Sequence, residues 1–88
     1  PQVYEGIPVL KCYIDMNEHV NNARYLDITD EFVENESAVK RIRVEYKNPL
    51  KRGKAIKALV YTDEGRKFVE LCDENNKPYC ITEYDYRS

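Results

Sequence analysis

Apolar and polar residues alternate along much of this chain, and the period of that alternation changes along its length. Residues Pro8 to Ile14 read as a short strand whose apolar members are Val9, Leu10, Cys12 and Ile14. The polar run Asp15-Met16-Asn17-Glu18-His19 interrupts it. From Val20 to about Glu34 the spacing becomes helical. Val20, Ala23, Leu26 (or Tyr25), Thr29 and Phe32–Val33 fall on one stripe, and Arg24, Asp27, Asp30, Glu31 and Glu34 form a solvated opposite face. A helix over this stretch would be about 22 Å long, enough to lie across a small sheet.

After Asn35 the period becomes two. Ile42, Val44 and Tyr46 point one way and Arg41, Arg43 and Glu45 the other, until Pro49 ends the run. Lys51-Arg52-Gly53-Lys54 supplies a turn, and Ala55 to Thr62 the next strand. Asp63-Glu64-Gly65 reads as a hairpin loop, Lys67 to Asp73 as a strand, Asn75-Asn76-Lys77-Pro78 as a second hairpin loop, and Tyr79 to Tyr86 as the last strand. The predicted order is β-α-β-β-β-β, one helix followed by an antiparallel meander, in the α+β class. Ala55 to Tyr61 is apolar on both faces. One face can cover the helix, and the other needs a partner surface. The chain's eight tyrosines add amphipathic area suited to an interface, so dimerisation is expected.

Composition narrows the choices. The 88 residues make one domain, 1-88, too short for a barrel enzyme or a full dinucleotide-binding enzyme. A domain this small buries roughly 60–65% of its unfolded surface, so a large active site would be shared with a partner surface. Sixteen acids against fourteen bases give a net charge of −2, which speaks against nucleic acid as a partner. No apolar run approaches a membrane span, and no signal peptide opens the chain. The start at Pro1, without an initiator Met, suggests an excised or processed piece. Cys12, Cys72 and Cys80 cannot all pair, and with a single His there is no zinc-finger spacing. Reduced, buried thiols in a cytoplasmic protein are the expectation, with no metal.

The stretch that can carry chemistry runs from Asp15 to Tyr25. It holds the only His of the chain, with a carboxylate four residues before it and carboxamides around it, at a strand-to-helix transition. Unpaired amides at a helix start can hold a developing negative charge, and His19 can take a proton from water near neutral pH. Such parts suit hydrolysis of an activated carbonyl ester. Asp15-x-x-Glu18 reads equally as a capping-box variant with a local role only. Lys51-Arg52-Gly53-Lys54 reads as a solvated turn or as a patch for an acidic carrier or a phosphate.

Asp15-x-Asn17-x-His19-Val20-Asn21-Asn22-x-x-Tyr25 resembles the D-x-N-x-H-V-N-N-x-x-Y signature of acyl-[acyl carrier protein] thioesterases, and the chain resembles the C-terminal half of those tandem enzymes over nearly its whole length. Arg43-Val44-Glu45-Tyr46 with Gly53 fits the family's later strand pair. The resemblance implies a single hot-dog fold, an antiparallel sheet wrapped around one central helix. It implies His19 as base for the attacking water, Asn17 as the residue positioning substrate or water, and Asp15 as the motif carboxylate. Asn21 and Asn22 would sit at the helix start on the substrate side. The substrate would be a fatty acyl thioester of acyl carrier protein or coenzyme A, hydrolysed without a cofactor in the bacterial cytoplasm. The partner would be a second hot-dog domain, either the N-terminal half or, in isolation, a second copy. The chain departs from the family where Asn48-Pro49-Leu50 stands in place of an acid after the Glu-Tyr pair. Leu10 and Tyr13 likewise stand where an Arg and an Asp are common. The missing acid leaves open a non-catalytic acyl-binding or dimerisation half. A hot-dog dehydratase or hydratase is the third reading.

Overall fold

The computed structural model describes residues 2–7, 24–50 and 56–87. Within them, strand β1 (Gln2–Ile7) precedes a short helix α1 (Tyr25–Thr29), which tightens into a 3-10 turn over Asp30–Phe32. A second 3-10 turn, Glu36–Ala38, leads into β2 (Arg41–Tyr46). Three longer strands follow: β3 (Ile56–Asp63), β4 (Arg66–Cys72) and β5 (Pro78–Asp85). All five strands form one antiparallel sheet in the order β1-β3-β4-β5-β2.

The two hairpins form where the turn residues predict them. Glu64 and Gly65 both hold positive φ, 48° and 81°, as the tight turn between two twisted strands requires. In the second loop the Asp73 carboxylate accepts from the N–H groups of Asn75 and Lys77, at 2.8 and 2.9 Å, while Asn76 takes φ 66°. These contacts replace the ladder bonds that the reversal removes.

Three expectations are corrected. The sheet is not a simple meander: β3, β4 and β5 follow one another, but β2 lies beyond β5, with Arg41 opposite Asp85 and Tyr46 opposite Cys80. Sequence adjacency carried no information on this crossing, which lets the segment after the helix close the far edge. A strand at Gln2–Ile7 was not anticipated. As an edge strand its side chains are almost all exposed, so no apolar face marks it, and a bulge between Tyr4 and Ile7, with Gly6 at φ 69°, interrupts its period. The helical path stops at Phe32, before Glu34, because Val33 turns to extended backbone at φ −107° and ψ 125°. The expected strand over 8–14, the part of the helix before Arg24 and the turn at 51–54 lie outside the described residues.

The core lies between α1 and the inner face of the sheet. Ile56, Ala58 and Val60 of β3, Val69 and Leu71 of β4, and Cys80 and Tyr84 of β5 are all buried there. From the helix come Tyr25 and Ile28, with Phe32 and Val33 packed at the margin. Tyr25 rather than Leu26 takes the buried position, and Ile28 joins the stripe. On the outer face Tyr61 stacks on Phe68, with centroids 5.0 Å apart, and the Arg66 guanidinium lies 5.2 Å from the Phe68 ring centre. Charged pairs surround them: Arg66 with Asp63 and Glu83, Arg41 and Arg87 with Asp85. The two-faced apolar character expected of β3 is present, with Leu59 and Tyr61 half-buried opposite the core. Cys72 and Cys80 are free and buried.

Candidate active site

Asp15, Asn17, His19, Asn21 and Asn22 lie outside the described residues, and so does Cys12. Arg24 is the first described residue after them, and the last motif position, Tyr25, is the first residue of α1. What the structure defines is therefore the frame on which the motif ends.

That frame is tied at the start of the helix by Tyr25. Its side chain is buried, and its hydroxyl oxygen accepts the Leu50 N–H at 3.0 Å. Burial raises the Tyr25 pKa above the ordinary phenol value, and the Leu50 contact partly offsets the rise. At neutral pH the phenol is thus a neutral structural group and no base. Its ring lies 5.6 Å from that of Tyr46 at the end of β2.

Leu50 belongs to the segment Lys47–Leu50, which is pinned to β5. The N–H groups of Lys47 and Asn48 both donate to Tyr79 O, at 2.9 and 3.3 Å. The Asn48 side-chain amide donates to Pro78 O at 2.8 Å. This is the segment in which the sequence lacks the acid common to the resembled family. Asn48 supplies a neutral donor to a backbone carbonyl, a contact that a carboxylate could not make.

A second tie holds the end of the helix. Tyr84 donates to Asp30 Oδ1 at 2.6 Å, which leaves its oxygen to accept from Thr29 Oγ1, also at 2.6 Å. Burial and the Asp30 contact push the Tyr84 phenol well above its usual range. Asp30, expected on a merely solvated face, instead anchors the helix to β5. Nothing local signalled this link, since its members are 54 and 55 residues apart in sequence. Among the described residues no group of His, Cys, Asp and Glu is arranged to hold a metal ion.

Among the described residues, a single antiparallel sheet with one short helix packed on its inner face is the hot-dog architecture. The profile of the acyl-ACP thioesterase C-terminal domain matches residues 3–87, and the chain belongs to that family. The fold is shared with the 12:0-ACP thioesterase from Umbellularia californica, at TM-score 0.77 and 21% identity, over 97% of this chain and 34% of that one. An acyl-ACP thioesterase from Bacteroides thetaiotaomicron matches at TM-score 0.75 and 20% identity, over 96% of this chain and 39% of that one. A thioesterase from Thermus thermophilus, solved with coenzyme A and Zn, matches at TM-score 0.72 and 18% identity, over 93% of this chain and 78% of that one. The chain thus spans about a third of the Umbellularia californica enzyme. No curated protein sequence matches it by sequence similarity alone.

Proposed function

We propose that this domain is the motif-bearing half of an acyl-ACP thioesterase, hydrolysing a fatty acyl thioester to free fatty acid and carrier thiol in fatty acid biosynthesis. One observation carries the reading: the family match over residues 3–87 encloses the whole stretch from Asp15 to Tyr25, and that stretch ends where the helix begins. In this reading His19 takes a proton from water as its oxygen attacks the thioester carbonyl. The C–S bond breaks as the tetrahedral intermediate collapses, and the departing sulfur receives the proton from His19. Asn17 orients the water or the carbonyl, Asp15 supports the imidazole, and Asn21 and Asn22 contact substrate at the helix start. Acyl carrier protein delivers the substrate, and a second hot-dog domain completes the acyl site. Buried, reduced Cys72 and Cys80 suit a bacterial cytoplasm.

The test is His19→Ala in the full-length enzyme, assayed on acyl-ACP. A fall of about 100-fold or more in kcat is expected for loss of a general base, and unchanged hydrolysis would sink the assignment. Assaying the same acyl chain on coenzyme A separates the two carriers. A non-catalytic half is the second reading, favoured by the neutral Asn48 engaged with Pro78 where an acid was expected. Turnover that survives His19→Ala but disappears on substituting a residue of the partnering domain would establish it.

A further inference from the structure

Two buried phenols hold α1 in place, one at each end. The start of the helix has little local support. α1 is five residues long, well under the length at which a helix is stable alone. Arg24, at its N-cap position, makes no capping hydrogen bond, and its side chain pairs instead with Asp27 at 3.0 Å on the exposed face. The start is therefore placed by Tyr25, 2% exposed, whose oxygen accepts the Leu50 N–H at 3.0 Å. Leu50 is fully buried, and Lys47 and Asn48 before it are fixed on β5 through Tyr79 O and Pro78 O. A path of contacts thus runs from the first helical residue to the start of β5. The other phenol, Tyr84, holds Thr29 and Asp30 at the far end of the helix.

We propose that Tyr25 is a positioning residue for the hydrolysis: its bond to Leu50 fixes the point at which the motif joins the helix, and the rate depends on that bond while substrate affinity does not. The inference rests on the reading of His19 as the base, and it follows from where the two ties stand along the chain. Tyr25 is the last motif position and His19 lies six residues before it, so a shift of the helix start is carried along the backbone toward the reacting groups. Tyr84 holds residues four and five positions past Tyr25, with a turn of helix between them and the motif. A side chain as buried as Tyr25 has no surface to offer a substrate, and burial keeps its phenol neutral. It therefore neither binds the acyl group nor takes the proton. What it supplies is orientation, and a misplacement of about 1 Å at the reacting groups can cost about 100-fold in rate.

The experiment compares Tyr25→Phe with Tyr84→Phe in the full-length enzyme. Values of kcat and KM on acyl-ACP are taken per folded molecule, with the folded fraction read by circular dichroism. Tyr84 makes two hydrogen bonds and Tyr25 accepts one, so a role in stability alone would make Tyr84→Phe the worse variant. Tyr25→Phe is expected instead to lower kcat about 10- to 100-fold with KM within about twofold, and Tyr84→Phe to leave both within about twofold. The pH profile of kcat should keep its shape in Tyr25→Phe, since no group that titrates near neutral pH is lost. Asn48→Ala loosens the Leu50 segment without touching Tyr25 and serves as the second variant. It should lower kcat in the same sense, and combined with Tyr25→Phe it should be no slower than Tyr25→Phe alone, because both break one path. Equal kcat losses in the two Phe variants, a loss carried by KM, or losses that multiply in the double variant overturn the positioning role. His19→Ala, assayed beside them, separates the two readings. Unchanged hydrolysis there removes the base and this inference with it, whereas loss in His19→Ala with full activity in Tyr25→Phe overturns the positioning role alone.

Discussion

Tyr25 closes the polar motif and opens the helix, and its hydroxyl is the acceptor for a Leu50 N–H on a fully buried residue. Tyr25→Phe keeps the ring but leaves that N–H without a partner, and a buried unpaired donor costs about 1–3 kcal/mol. Urea unfolding should show a loss of that size with an unchanged m-value. Asn48→Asp tests the neighbouring tie. The carboxylate would face Pro78 O with no proton to donate, so it should destabilise the domain by about 1–3 kcal/mol rather than restore the acid missing after the Glu45-Tyr46 pair. Cys80 is a third case: burial pushes its thiol up to about 12, and burial raises Cys72 as well. At pH 8 neither should react with a thiol reagent in the native protein, and both should react in denaturant, as peptide mapping can record. The motif was legible because its side-chain types recur within one short stretch. The Tyr84–Asp30–Thr29 tie was not, because hydrogen bonds between residues 54 and 55 apart leave no local trace.

Among the elements, β3, β4 and β5 could be read almost to the residue. Their period of two and their turn residues act over a few positions, and chain neighbours become sheet neighbours. The first hairpin still holds a local conflict, since Glu64 sits at φ 48°, where a residue other than Gly, Asn or Asp is strained. Glu64→Asn should stabilise the domain by about 0.5–1 kcal/mol, measurable as a rise in Tm. The place of β2 at the far edge could not be read, because which strands pair depends on the whole sheet. Its attachment to β5 also has an ionic part. Asp85 is buried beside Arg87 and Arg41. The Arg87 hydrogen bonds, and after them the Arg41 contact, hold its carboxyl far below the ordinary carboxylate range. A depressed folded-state pKa stabilises the fold at pH values above the unfolded pKa, and that stabilisation fades as pH falls toward the folded one. Asp85→Asn should therefore lower Tm at pH 7, and the gap to the parent should close as the pH drops below about 4.

At the scale of the whole molecule, the core among the described residues is a single layer of side chains between one short helix and one sheet, in a chain of 88 residues. Domains of this size have little stability in reserve, so pairing with a second domain would add a large share of the total. If the domain folds as a pair, unfolding also separates the two copies, and mass action makes Tm depend on concentration. Each tenfold dilution removes about 1.4 kcal/mol per dimer. Spread over the unfolding entropy of two such chains, that lowers Tm by about 3–4 °C. Scans of the parent chain across a hundredfold concentration range should show the slope. A flat line for the parent chain would mean that the domain is stable alone.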